Sequence, residues 1–115
     1  MTIALGEAAK DEKVRAVILT GAEEHFSTGA DVNFLSQLGK EGFVDFANAF
    51  NRFLKTILRL GKPIIAGVNG DALSGGVAIV AACDLAIASK KARLGNHEAT
   101  FGVWPMTSKI PVLRQ

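Results

Sequence analysis

Two short glycine-bearing loops carry the residue types that could do chemistry in this sequence. The first is residues 27–31, STGAD, and the second is residues 74–76, SGG. Taken alone, each loop is typical of an ordinary turn. Backbone N–H groups at the start of a helix are unpaired and lie at the positive end of its dipole, so they suit an anion or a developing oxyanion.

The two loops become more informative together, because each follows a predicted buried strand. These strands are residues 14–20 and 64–68, and their ends would lie side by side in a parallel sheet. Two N–H groups aimed at one point form an oxyanion hole, in which each donor contributes roughly 100- to 1000-fold in rate. The sequence therefore predicts a backbone site that stabilises an enolate or a tetrahedral anion.

Ser74 offers a second chemistry, because residues 72–76, ALSGG, differ by one substitution from the nucleophile elbow of serine hydrolases. His97 or His25 would then act as the base. Neither histidine has an acidic residue at a spacing that identifies it as the orienting group, and a serine at a turn is more often a capping residue. A serine hydrolase stays an open alternative.

Other binding motifs are incomplete. Gly70 and Gly75 have the spacing GxxxxG, but Gly76 and Val77 follow where a phosphate-binding loop needs Lys and then Ser or Thr. No GxGxxG follows any predicted strand, so the dinucleotide fingerprint is absent. The sequence disfavours nucleoside triphosphate and dinucleotide sites, and we assign no metal ligands.

Composition excludes several classes of partner. The chain has 115 residues, 49% of them hydrophobic, which suits one modest domain. The net charge of +2 is too near balance to imply nucleic acid. No apolar run approaches the ~18 residues of a membrane span, and Glu7, Asp11 and Glu12 are unlike a signal peptide. The single cysteine, Cys83, predicts an inert buried thiol, and we expect a cytoplasmic protein with no membrane partner.

The elements that must position the loops predict an α/β fold. A first helix carries Ile3, Leu5, Ala8 and Ala9 near one face. Apolar residues that recur at three and four positions predict a longer helix over residues 42–60, whereas residues 21–33 are predicted to be a loop. A packed helix over residues 77–82 and a short strand over residues 85–88 follow. Strands that alternate with helices predict a mainly parallel sheet.

Five motifs occur in an order and spacing that resemble the enoyl-CoA hydratase/isomerase (crotonase) family. They are VRAVILTG, HFSTGADV, KPIIAGVNGDALSGG, ACDLAIAS and ARLGNHEATFGVWP, and they extend from about Leu5 to Leu113. The resemblance implies the α/β fold that crotonases share with Clp-type proteases. It also implies that residues 1–115 are the middle of the family's domain, with the opening β-strands before Met1 and the C-terminal helices beyond Gln115.

By this resemblance, the N–H groups of Ala30 and Gly75 form an oxyanion hole for the carbonyl of an acyl-CoA thioester. Coenzyme A enters as part of the substrate, and no separate cofactor is implied. Asp31 and Val32 match the stretch that lines the adenine pocket, although a helix cap explains Asp31 equally well. The contacts to substrate and CoA would fall on Thr28, Gly29, Ala30, Asp31, Val32, Ser74, Gly75, Ala78 and Trp104.

Glu98 falls where many members of the family carry the carboxylate that moves a proton at the α-carbon. Phe101 and Trp104 would partly desolvate it, as suits a group that takes and returns a proton. From the residues alone, a surface charge is the simpler interpretation of Glu98, and the resemblance reverses that preference. His97, its neighbour, is expected to be structural or exposed.

Three departures from the family pattern affect the expected reaction. Ser74 replaces the first of three glycines, and residues 105–109, PMTSK, replace a glycine-rich loop. Ala78 stands where hydratases of the family place a second glutamate that activates water. With one carboxylate, we expect isomerisation of an enoyl-CoA double bond, with Glu98 as the proton shuttle. The alternatives are an enoyl-CoA hydratase, a serine hydrolase using Ser74, and a non-catalytic fragment or paralogue.

The resemblance also implies a homo-oligomer, a trimer or a dimer of trimers, in the full-length protein. Val112 and Leu113 are apolar, and they would leave core surface uncovered in the isolated chain. We therefore expect isolated residues 1–115 to associate or to be only marginally stable.

Overall fold

The structure, a computed structural model, describes residues 1–102 as a series of short strands and helices. A 3₁₀ helix, His97–Phe101, ends this part of the chain. The other elements, in chain order, are α1 (Thr2–Lys10), β1 (Val17–Thr20), β2 (His25–Ser27), α2 (Val32–Gln37), α3 (Lys40–Leu58), β3 (Ile64–Val68), β4 (Asp71–Leu73), α4 (Gly75–Ala82), β5 (Leu85–Ala88) and β6 (Leu94–Gly95).

The strands form two three-stranded sheets, in the orders β1-β3-β5 and β2-β4-β6. Odd-numbered strands lie in the first sheet and even-numbered strands in the second, so the chain passes back and forth between them. Val17 pairs with Ile64 in the first sheet, and His25 pairs with Asp71 in the second. All strand pairs within residues 1–102 are parallel, which confirms the predicted α/β class.

The core lies where β3 meets the helices. Ile64, Ala66 and Val68 alternate along β3 and are at most 1% exposed, which is the period of two expected for a strand. Helix α3 buries Leu54 and Ile57 against them, as its apolar pattern predicts. No helix within residues 1–102 has both the length and the apolar character needed to cross a membrane.

The opposite face of the first sheet is apolar and exposed. Ile18, Leu85 and Ile87 lie on this face and are 68%, 63% and 71% exposed. Contiguous exposed apolar side chains are typical of contact surfaces. This supports the expectation that residues 1–115 associate or are marginally stable alone, which stays a prediction.

Several expected elements differ from the observed ones. The first strand begins at Val17 rather than at residue 14, and α3 begins at Lys40 rather than at residue 42. Helix α1 buries Leu5, but Ile3 is 79% exposed, so the face predicted for α1 is wrong at that residue. The predicted loop over residues 21–33 contains β2 and the start of α2, because strands this short have no apolar run to reveal them.

Polar side chains connect the short strands of the second sheet to the rest of the chain. The Asn69 side chain accepts a hydrogen bond from the Gly21 N–H at 3.0 Å and donates to the Glu23 carbonyl at 3.0 Å. Asp71 begins β4, and its carboxylate accepts hydrogen bonds from both the backbone and the guanidinium of Arg93. These bonds lower the pKa of Asp71, and burial offsets part of that effect.

Gly76 should be essential for packing β2 against α4. An ideal Cβ built on Gly76 would lie 2.3 Å from the Ser27 carbonyl oxygen, so Gly76→Ala must push β2 away from the helix. We expect a loss of about 1 to 3 kcal/mol in the free energy of unfolding of the full-length protein, measured in urea. Gly6→Ala in α1 is the matched control: it meets nothing within 4 Å and should raise stability. Equal effects of the two variants would contradict this packing.

The Asp71–Arg93 pair should also make stability depend on acid pH. Because the folded-state pKa of Asp71 lies below its ordinary value of 3.8, the pair stabilises the fold above that pH. The contribution is lost as the pH falls through the folded-state pKa. We expect urea unfolding between about pH 5 and pH 3 to show a shallower loss of stability for Asp71→Asn than for the wild type. Asp45→Asn, on exposed α3 surface, should keep the wild-type slope.

Candidate active site

The two glycine loops meet at the ends of neighbouring strands. An ideal Cβ built on Gly29 would lie 3.0 Å from the Ser74 Cβ and 3.5 Å from the Gly75 nitrogen. Gly29 has φ +95°, in the left-handed region where a side chain is strained. The loops follow β2 and β4, which pair in the second sheet, rather than the predicted strands 14–20 and 64–68. The meeting of the loops was predicted, but the strands that deliver them were assigned wrongly.

The amides of Ala30 and Gly75 both lie at this meeting point. Within residues 1–102, neither N–H donates a hydrogen bond to another group. Gly75 is the first residue of α4, and the Ser74 carbonyl accepts the next bonds, from Val77 at 3.1 Å and Ala78 at 3.4 Å. The Gly75 N–H is therefore one of the unpaired donors at the positive end of a helix.

Ser74 has a strained backbone, with φ 53° and ψ −117°. Only glycine adopts this region freely, and a non-glycine residue there costs about 1 to 3 kcal/mol. By the family resemblance, glycine is common at this position, and the positive φ gives a physical reason for that preference. The Ser74 side chain makes no capping hydrogen bond to α4.

The two histidines lie differently with respect to Ser74. His25 begins β2 and pairs with Asp71, so it is at the opposite end of the short strands, about 10 Å along β4 from Ser74. His97 lies two residues beyond Gly95, whose carbonyl accepts a hydrogen bond from the Ser74 N–H at 2.8 Å. A sharp strand-to-helix turn at Ser74 thus exists as a nucleophile elbow requires, but His25 is not positioned as its base.

The loop beyond Ala30 combines a helix cap with exposed apolar surface. Asp31 caps α2, because its Oδ1 accepts from the Asn33 N–H at 2.8 Å and from the Phe34 N–H at 3.4 Å. The helix-cap interpretation of Asp31 is confirmed. Thr28 is exposed, and Val32 is 72% exposed beside the loop. Contact of these residues with coenzyme A stays a prediction.

Glu98 lies on the 3₁₀ helix that follows β6. It comes three residues after Gly95, the residue bonded to Ser74, so β6 connects it directly to the second loop. Its side chain is half-buried, and Oε2 is buried with no hydrogen-bond partner within residues 1–102. A buried carboxylate oxygen without a partner has an unmet demand for a donor, which a ligand could supply.

Ala78 and Trp104 complete the predicted set of substrate contacts. Ala78 is 0% exposed and lies in the hydrophobic core, so position 78 supplies neither a carboxylate nor an exposed surface in residues 1–102. Its contact with substrate stays a prediction. Trp104, residues 105–109 and residues 112–113 lie outside the described residues, as does the side chain of Phe101.

Cavities and the single cysteine lie away from the two loops. One cavity of about 710 Å³ is lined by residues of α1 and α3, and one of about 230 Å³ lies between α4, β5 and β6. Neither is lined by Ala30, Gly75 or Glu98. Burial raises the pKa of Cys83 to about 11, which confirms a buried thiol of low reactivity.

Comparison with known proteins adds an independent line of evidence. Residues 1–115 match the family model described as enoyl-CoA hydratase/isomerase. The chain is 41% identical over 106 residues to a short-chain-enoyl-CoA hydratase of Clostridium acetobutylicum. It is 34% identical over 107 residues to a crotonyl-CoA hydratase of Syntrophomonas wolfei. These matches cover 91% and 90% of this chain but 41% of each relative, so the chain spans well under half of their length.

Solved structures agree with the sequence match. The crystal structure of an enoyl-CoA hydratase from Bacillus anthracis superposes with a TM-score of 0.90 at 31% identity, over 97% of this chain and 44% of that one. Because the family model matches the chain from its first residue to its last and the fold is the same, the chain belongs to the enoyl-CoA hydratase/isomerase family.

Proposed function

We propose that the protein carrying this chain binds an enoyl-CoA thioester and stabilises its enolate with the N–H groups of Ala30 and Gly75. The observation that carries this proposal is the close approach of Gly29 to Ser74 and Gly75, which brings two unpaired amides to one junction. Amides held in this way need no reorganisation when charge develops on the thioester oxygen. Each is therefore worth roughly 100- to 1000-fold in rate.

Coenzyme A is the carrier that the relatives' names support. Val32 and Phe34 expose apolar surface beside the first loop, and the Asp31 cap fixes the start of the helix that presents them. Apolar surface of this kind favours the binding of a flat aromatic base such as adenine. The site needs no cofactor besides the coenzyme A of the substrate.

Glu98 is the proton carrier in this proposal. In hydration, the Glu98 carboxylate takes a proton from water while the oxygen of that water bonds to the β-carbon of the thioester. The electron pair of the double bond moves to the thioester oxygen, where the two amides stabilise the enolate. Glu98 then returns the proton to the α-carbon, so that one water has been added and the carboxylate is regenerated.

Hydration is the main candidate, because the relatives compared above from Clostridium acetobutylicum and Syntrophomonas wolfei are named hydratases. This differs from the isomerase expected from the sequence. Isomerisation remains a second candidate for one specific reason: Ala78 provides no second carboxylate to activate water. In isomerisation, Glu98 would remove a proton from one carbon and return it to another.

Side-by-side kinetics should separate the two reactions. In the full-length protein, we expect hydration of a short 2-enoyl-CoA to be faster than conversion of 3-enoyl-CoA to 2-enoyl-CoA. Glu98→Gln should lower the hydration rate by about 100- to 10,000-fold, because the amide can neither accept nor return the proton. Glu7→Gln, on the exposed surface of α1, is the matched control and should keep wild-type activity.

Other results of these experiments would contradict hydration by Glu98. Faster isomerisation, lost in Glu98→Gln, would replace hydration by the second candidate. An unaffected Glu98→Gln enzyme would remove Glu98 from the mechanism. If isothermal titration calorimetry shows no acyl-CoA binding, the non-catalytic alternative is correct.

Variants of Ser74 should distinguish enoyl-CoA chemistry from serine hydrolysis. If Ser74 only forms the turn, Ser74→Ala should keep activity toward acyl-CoA within about tenfold. Ser74→Gly should also keep activity and should not lower the melting temperature, because glycine adopts φ 53° without strain. Near-total loss in both variants, with a fluorophosphonate label on Ser74 of the wild type, would instead indicate a nucleophile.

A further inference from the structure

The ion pair between Asp71 and Arg93 connects the two strands that carry the site. Asp71 begins β4, and Arg93 comes immediately before β6. Arg93 Nε lies 3.1 Å from each oxygen of the Asp71 carboxylate, and its Nη2 bonds Oδ2 as well. The Arg93 N–H donates to Asp71 Oδ1 at 3.2 Å, and the Ala72 N–H donates to the Arg93 carbonyl at 2.9 Å.

This pair differs from an ordinary surface ion pair because one partner is buried. The Asp71 side chain is 11% exposed, whereas that of Arg93 is 78% exposed. Exposed pairs contribute little to stability, but a buried carboxylate held by a two-pronged guanidinium gains geometric specificity as well as energy. Removing Arg93 would leave the Asp71 carboxylate buried without its charge partner.

Strand β6 needs such a restraint, because it has only two residues. Its bonds to β4 are few, and apolar alternation cannot define a register over Leu94 and Gly95 alone. A shift of β6 along β4 by one residue would move everything that follows by about 3.3 Å. The backbone N–H and the guanidinium of Arg93 both bond the Asp71 carboxylate, so a shift of β6 by one residue would break these bonds together.

The register of β6 on β4 also determines the geometry of the site. Strand β4 leads directly into Ser74 and Gly75, whose amide is one proposed donor to the enolate oxygen. Strand β6 is followed in the chain by the 3₁₀ helix that carries Glu98. The Gly95 carbonyl of β6 accepts a hydrogen bond from the Ser74 N–H, which ties this part of the chain to the second loop. The distance between the Gly75 amide and the Glu98 carboxylate thus depends on the pairing that Asp71 and Arg93 hold.

We propose that Asp71 and Arg93 are positioning residues for catalysis: their ion pair sets the register of β6 on β4 and thereby places Glu98 relative to the oxyanion hole. The proposal rests on the proposed function of Glu98. Neither residue touches the reacting atoms, so their effect on the rate passes entirely through the placement of Glu98.

The test compares Arg93→Lys and Asp71→Asn in the full-length protein. Arg93→Lys keeps the charge but loses the fork, and Asp71→Asn keeps the shape but loses the charge-assisted bonds. Misplacement of a catalytic group by about 1 Å costs up to about 100-fold. We expect kcat to fall about 10- to 100-fold in both variants, with KM within about threefold of the wild type. Lys91→Met, which removes an exposed cation two residues away, is the control and should keep wild-type kinetics.

Amide hydrogen exchange supplies a readout that does not depend on activity. In both variants, we expect faster exchange at the Ala72 and Ser74 N–H groups, which donate to Arg93 and Gly95. The Asp84 N–H, which donates to Ile64 in the first sheet, should keep its wild-type protection and so exclude global destabilisation.

Three results would overturn the proposal: an unchanged kcat with a lower melting temperature, a raised KM with an unchanged kcat, or unchanged exchange at Ala72 and Ser74. The first would make the pair merely structural, and the second would make Arg93 a substrate contact. If Glu98→Gln keeps wild-type activity, the proposed function fails, whereas the exchange experiment still decides whether the pair holds β6.

Discussion

The site depends on how closely the chain packs around β2. Ideal Cβ atoms on Gly21, Gly70 and Gly76 would lie 1.8, 1.7 and 2.3 Å from carbonyl oxygens of residues 24–27. Gly21 precedes β2, whereas Gly70 and Gly76 lie on either side of β4, and a side chain at any of them would displace residues 24–27. Close packing around β2 therefore fixes the position of this short strand. The loop that follows β2 consequently lies against Ser74 and Gly75, although β2 has only three residues.

Backbone contact alone does not determine the position of such short strands along each other. Side chains provide this restraint at two places: Asn69 bridges the loop between β1 and β2, and Asp71 binds Arg93 at the start of β6. Asn69 lies in the turn between β3 and β4, and Asp71 is the first residue of β4. Polar side chains therefore hold the second sheet at the N-terminal ends of its strands. Ala30 and Gly75 follow the C-terminal ends of β2 and β4, and their amides are unpaired within the described residues.

The features predicted from the sequence are those with a long hydrophobic pattern. Strands β3 and β5 have the predicted bounds, and α3 is displaced by about one turn at most. Strand β2 contains His25 and β4 begins with Asp71, so neither has the apolar run that marks a buried strand. The structural role of Arg93 was also missed, since an exposed arginine in a turn carries no sequence signal. The two glycine-bearing loops were enough to predict that these segments meet, because the close approach of Gly29 to Ser74 requires glycine.

The proposed site consists mostly of backbone, and this limits how its chemistry can vary. Backbone amides are the same whatever side chains surround them, so under the proposed function the identity of the reaction would rest on Glu98. Ala78 has no exposed surface and no ionisable group, so position 78 supplies no second proton carrier. Under the proposed function, with one proton carrier, hydration and isomerisation would share the same enolate and the same carboxylate. They differ in whether a water molecule stands beside Glu98 when the double bond is polarised. Under the proposed function, the presence of a water molecule beside Glu98 would therefore distinguish hydration from isomerisation.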